Sequence, residues 1–61
     1  MLDSIEIRLR PETWDGNLWY FWVLFGRSAG GRHNMGFGWE TSVEAAAREA
    51  VAYYRSVAES Q

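Results

Sequence analysis

Leu18-Trp19-Tyr20-Phe21-Trp22-Val23-Leu24-Phe25 is apolar at every position. Eight residues is strand length, and the aromatic and β-branched content favours a strand over a helix. Both faces of such a strand are hydrophobic: Trp19, Phe21, Val23 and Phe25 on one, Leu18, Tyr20, Trp22 and Leu24 on the other. One helix in a two-layer domain can cover only one of them. The reading of this run therefore decides the fold and the spare surface together.

Upstream, Ser4-Ile5-Glu6-Ile7-Arg8-Leu9-Arg10 alternates strictly, as a half-buried strand does. Ile5, Ile7 and Leu9 share one face; Glu6, Arg8 and Arg10 share the other. Pro11 is expected to stop this strand, and Glu12 to Asn17 reads as a turn around Asp15-Gly16-Asn17. Downstream, Gly26 ends the apolar run and 26–31 reads as a flexible loop. Arg32 to Glu40 alternates again, with His33, Met35, Phe37 and Trp39 on one face and Asn34, Gly36 and Gly38 on the other. Alternate glycines strip a face of side chains and leave room for a neighbouring ring or a ligand. Thr41-Ser42-Val43-Glu44 has the form of a capping box with Thr41 as N-cap. The helix it opens carries a stripe of Val43, Ala46, Ala47, Ala50, Val51, Tyr54, Val57 and Ala58, with Glu44 and Arg48 as an i, i+4 pair.

The expected architecture is one α+β domain over 1–61: a three-stranded antiparallel meander sheet with one C-terminal helix packed on one face (β-β-β-α). Tyr20 and Trp22 carry polar handles, so the core is expected to use Trp19, Phe21, Val23 and Phe25 with Ile5, Ile7, Leu9, Met35, Phe37 and Trp39. The far face then presents Glu6, Arg8 and Arg10, Tyr20 and Trp22, and the two glycines. On that face the rings either lie over Gly36 and Gly38 beneath Arg8 or form a partner-binding surface.

Composition bounds the function. The chain has 61 residues, 48% hydrophobic, 16% aromatic and 23% charged, with no cysteine and a net charge of −2. A domain this small buries only about 60% of the surface its unfolded chain exposes. A disulfide framework and a cysteine zinc site are excluded, and no apolar run approaches the roughly 20 residues of a membrane span. The N-terminus lacks a basic region followed by an apolar stretch, so no secretory signal is read and a cytoplasmic location is expected. All six basic residues are arginine, planar forks suited to carboxylates, phosphates and ring faces. His33 is the only histidine, and neither Ser28 nor Ser42 has a base within a motif, so no enzyme, cofactor or metal is expected. Gly26 to Arg32 lacks the Gly-Lys-Ser/Thr ending of a phosphate-binding loop.

Gly38-Trp39-Glu40-Thr41-Ser42-Val43-Glu44-Ala45-Ala46-Ala47-Arg48-Glu49-Ala50 resembles the last strand and helix start of AP2-type DNA-binding domains, which also run three strands and then a helix. The resemblance covers about a fifth of the chain and implies a nucleic-acid-binding sheet, which Arg8 and Arg10 match in part. HicB-type antitoxin domains have a similar strand-to-helix junction. Both similarities rest on a cap followed by alanines, and no family is drawn from them.

The first expectation is a non-enzymatic module that binds another protein or ribonucleoprotein complex. In size and character it is similar to phage- or mobile-element-type inhibitors, anti-CRISPR proteins among them, which block a bacterial defence or nucleic-acid-processing complex by occupying its surface. The expected partner-binding residues are Trp14, Tyr20, Trp22, Glu6, Arg8, Arg10, Arg27 and Arg32. A nucleic-acid-binding module using the arginines with Tyr20 or Trp22 for stacking ranks second, given the acidic balance. A structural homodimer through the exposed sheet face is the third.

Overall fold

The computed structural model describes residues 2–59. Three strands, β1 (Ser4–Trp14), β2 (Asn17–Ser28) and β3 (Gly31–Glu40), form an antiparallel sheet in the order β1-β2-β3, and α1 (Val43–Glu59) packs on one face. This is the expected β-β-β-α arrangement.

The strands run longer than the turn signals suggested. Pro11 does not end β1, which continues to Trp14. An edge strand tolerates proline where the missing N–H would face away from its neighbour. Gly26, Arg27 and Ser28 extend β2, so the expected flexible loop shrinks to a tight turn at Ala29-Gly30.

The first hairpin turn has only two residues, Asp15 and Gly16, with φ of 50° and 77°. Positive φ at both positions is the signature of a type I′ turn, whose twist matches that of the flanking strands. Closing β1 on β2 at Trp14↔Asn17 pairs residues of opposite parity throughout, including Ile7↔Leu24, Leu9↔Trp22, Arg8↔Val23 and Arg10↔Phe21. Directly paired residues share a face. Ile5, Ile7 and Leu9 therefore lie with Tyr20, Trp22 and Leu24, while Glu6, Arg8, Arg10 and Glu12 lie with Trp19, Phe21, Val23 and Phe25.

This inverts the expected assignment of the middle strand. The core is Trp22, Leu24, Ala46 and Ala50, with Ile7, Tyr20, Met35 and Tyr54 packed against it. Leu24 is wholly buried. Helix packing over the opposite face would bury four charged side chains of β1, at several kcal/mol for each ion left without good partners. Burying Trp22 leaves its indole N–H without an acceptor, at about 1–3 kcal/mol. The smaller penalty prevails.

A bulge in β3 makes the helix-side face fit. Near the second turn Phe25 pairs with Asn34, but Leu24 pairs with Gly36, so Met35 is the extra residue. Beyond it the parity of β3 changes, which brings Gly36 and Gly38 to the helix side. A Cβ on Gly38 would lie 2.6 Å from Trp22 Nε1, and one on Gly36 would lie 2.5 Å from Tyr53 Cε1. Of the two rings expected over the glycines only Trp22 is there, over Gly38 and beneath the helix rather than Arg8; Gly36 is covered by Tyr53 of α1, and Tyr20 lies over neither.

The helix starts one residue later than the capping box implied. Ser42, not Thr41, is the N-cap: the Ala45 N–H donates to Ser42 Oγ at 3.1 Å and the Ala46 N–H to the Ser42 carbonyl at 3.0 Å. Ala46 and Ala50 are fully buried and let α1 approach the sheet closely. Among the described residues Glu44 and Arg48 form no ion pair, whereas Glu44 in the first turn complements the helix dipole.

The cap and the buried indole can each be tested by stability. Ser42→Ala should cost about 0.5–2 kcal/mol in chemical denaturation, while Thr41→Ala leaves the midpoint nearly unchanged. Trp22→Ala should cost about 3–5 kcal/mol, and Gly38→Ala about 1–3 kcal/mol because the buried indole cannot swing away. Phe21→Ala, on the uncovered face, should cost less than Trp22→Ala; the reverse order would mean that α1 packs on the other face.

Candidate functional site

Among the described residues no element covers the second face of the sheet. Its middle carries Trp19, Phe21, Val23 and Phe25 from β2, flanked by Phe37 and Trp39 from β3. Ring centroids are 4.6 Å apart for Trp14 and Trp39, 4.5 Å for Trp39 and Phe21, and 6.0 Å for Phe21 and Phe37. These tilted contacts are within the favoured range for aromatic pairs and hold the rings as one row across the sheet. Trp14 and Phe37, at its two ends, are 53% and 63% exposed. Between these ends Trp19, Phe21, Phe25 and Trp39 are half-buried and Val23 is buried by its neighbours; apolar patches of this kind are candidate interaction sites.

Charge frames this row along β1. Arg8 Nε donates to Glu6 Oε2 at 2.8 Å, and Arg10 Nη2 to Glu12 Oε2 at 2.9 Å. In a strand, i and i+2 share a face, so the alternating sequence makes both pairs locally. Arg32, on β3, lies over the Phe25 ring at 4.4 Å and within 3.9 Å of Glu6 Oε1; Arg8 lies at the rim of the same ring, 5.9 Å from its centroid. A shallow open groove lies between Arg8 and Arg10 on one side and Phe21, Val23 and Phe25 on the other. The Glu6 carboxyl is held below the ordinary glutamate value, chiefly by its hydrogen bond from Arg8 and further by the charges of Arg8, Arg32 and Arg27.

Of the residues singled out from sequence, Glu6, Arg8, Arg10, Trp14 and Arg32 belong to this open face. Arg27 stands at its far end, opposite Arg32 and Ser4 in the ladders. Tyr20 and Trp22 do not belong to it; they face the helix and form core, which removes them as partner-binding residues. Phe21, Phe25, Phe37 and Trp39 take their place. Asp15-Gly16 was the signal that could have found them, because a two-residue turn fixes which parity of β2 joins the arginines of β1.

His33 pairs with Gly26 and lies 3.3 Å from Ser28 Oγ beside the second turn, away from the aromatic row. Among the described residues no three His, Asp or Glu side chains are grouped to hold a metal ion, and no helix is long and apolar enough to cross a membrane. Comparison with family models, curated proteins and solved structures finds no match.

The Glu6 titration offers a direct check on the rim. A depressed acid contributes stability that is present above its unfolded pKa and lost as pH falls through its folded pKa. In an NMR titration the Glu6 carboxyl should therefore titrate below the ordinary glutamate value, and Arg8→Gln should move its midpoint up toward that value. An unchanged midpoint would mean that the Arg8 hydrogen bond is not held in solution.

Proposed function

We propose that this protein is a non-enzymatic protein-binding module that receives its partner on the open face of the sheet. The observation that carries this reading is the row Trp14, Trp39, Phe21 and Phe37, joined by successive tilted ring contacts and exposed at both ends. An apolar, aromatic centre inside a charged, solvated rim is the usual anatomy of a protein interface. Arg8 and Arg10 already pair with the carboxylates of Glu6 and Glu12, so the β1 side of the rim is charge-balanced, and the excess positive charge is confined to Arg27 and Arg32 at one end of the face. The inhibitor reading, in which that partner is a bacterial defence or nucleic-acid-processing complex, uses the same face to occupy the partner's surface.

The stacked rings also support a second reading, a single-stranded nucleic acid laid across the row, since bases stack on aromatic platforms without sequence preference. It ranks behind the first because affinity for phosphates requires cations free to meet them. Two of the arginines are paired within their own strand, and the net charge is −2.

A photo-crosslinking residue at Phe37, introduced in cells of the source organism, should give a recurrent protein adduct that the same probe at the exposed Arg48 on the helix does not. Trp14→Ala should weaken that interaction by about 2 kcal/mol or more, as for an exposed aromatic anchor, with little loss of stability. Adducts mainly to nucleic acid, with binding of a purified oligonucleotide that weakens steeply with salt, would favour the second reading instead.

A further inference from the structure

Among the described residues the outer edge of β1 pairs with no strand, a second feature separate from the aromatic face. A two-residue hairpin makes Trp14 and Asn17 a hydrogen-bonded pair, and such pairs recur at every second residue. The odd-numbered residues of β1 therefore direct their N–H and C=O groups outward, away from β2. Ile5, Ile7 and Leu9 offer a full set of donors and acceptors there; Pro11, next in the series, offers no donor. On the helix side this edge is also incompletely covered. α1 lies mainly over β2 and β3, leaving Ile5 40% and Leu9 38% exposed. The opposite edge differs: β3 carries the Met35 bulge, which bends a strand and blunts it for pairing.

We propose that β1 pairs with β1 of a second copy of this chain, antiparallel and centred on Ile7, to make a continuous six-stranded sheet with both helices on one side. Charge selects the occupant and the register. With Ile7 on the two-fold axis, Glu6 of each copy stands directly opposite Arg8 of the other. The two resident Glu6–Arg8 pairs thereby join into one alternating group of four charges. Axes through Glu6 or Arg8 would set that residue against its own copy, and an axis through Leu9 would set Glu6 against Glu12 and Arg8 against Arg10. Like charges directly opposite in a ladder are destabilising.

Proline and packing select the same register. Centred on Ile7, the outward-facing pairs are Ile7 with Ile7 and Ile5 with Leu9, each able to exchange both backbone hydrogen bonds. Centring on Leu9 would bring Ile7 against Pro11 and lose a donor on each side. On the helix side the Ile7-centred register places Ile5 of each copy against Leu9 of the other, covering the apolar atoms that α1 leaves open. The closed two-fold leaves only the blunted β3 edges exposed, so the assembly stops at two. It also sets two aromatic faces side by side on one side of the sheet. The edge does not depend on what the aromatic face binds, so the dimer can fail while the proposed function stands, and the reverse.

The test is a charge exchange read by sedimentation of purified chains over a concentration series, with circular dichroism to show that each variant folds. The natural chain should sediment as a dimer. Glu6→Arg alone sets arginine against arginine at both cross-copy charge pairs, and Arg8→Glu alone sets glutamate against glutamate. Each variant should therefore be largely monomeric. Their mixture matches opposite charges at every position and should restore dimer, with affinity higher than either variant alone by about tenfold or more. Ile5→Lys, at a half-exposed site, should give a folded monomer by an independent route. A natural chain that stays monomeric at all concentrations would overturn the proposal. So would a dimer that the mixture does not restore but that Phe37→Glu dissolves, since that dimer would be joined through the aromatic face.

Discussion

The two-residue turn at Asp15-Gly16 is the constraint on which the rest of this structure depends. Positive φ at both residues closes the hairpin with Trp14 opposite Asn17, and the β1–β2 ladder, which contains no bulge, keeps that parity to its end. Every charged residue of β1 is thereby placed on one face with Trp19, Phe21, Val23 and Phe25. A side-chain period of two means that a shift of one residue would send the whole set to the other face. In a sequence whose central strand is apolar on both sides, hydrophobicity alone supplies no such decision.

The helix then takes the face that costs less to cover. That face carries none of the four β1 charges, its one strand carboxylate, Glu40, standing only half-buried at the end of β3, and the Met35 bulge has cleared it of side chains at Gly36 and Gly38. Tyr53 and Trp22 occupy the space a Cβ would take at those two positions, and Ala46 and Ala50 bring the helix axis close. Trp22 is buried with one N–H left unpartnered. Turn, bulge and small residues thus serve a single packing arrangement, although they lie in three different parts of the chain.

The same parity creates the exposed aromatic row. Because Arg8 and Arg10 share a face with Phe21 and Phe25, that face cannot be buried in the monomer without desolvating charge. Because Glu6 and Glu12 are their i±2 neighbours, the charge is balanced locally rather than offered as a basic patch. What remains is an apolar centre bordered along β1 by paired charges, with Arg27 and Arg32 at one end. The uncovered apolar side of β1 arises separately, from a helix that leans toward β3.

Much of this was legible in the residues themselves. The period-two pattern of 4–10, the uninterrupted apolar run 18–25, the alternation of 32–39 and the alanine-rich stripe determined three strands and a helix, because each reports only on local geometry. The alternation of 4–10 put Glu6, Arg8 and Arg10 on one face, whereas Trp14, read as part of a turn, reaches the open face only because β1 continues past Pro11. Tyr20 and Trp22 could not be assigned correctly by their polar handles, since a buried indole N–H costs less than buried ions. Thr41 and Ser42 are both competent caps, and only the entry path of the helix selects Ser42. Pro11 looks like a terminator until the strand is known to be an edge. Tertiary structure decided which side of the central strand is core, because that choice is set by pairing between strands, and pairing is a relation between segments that no single segment carries.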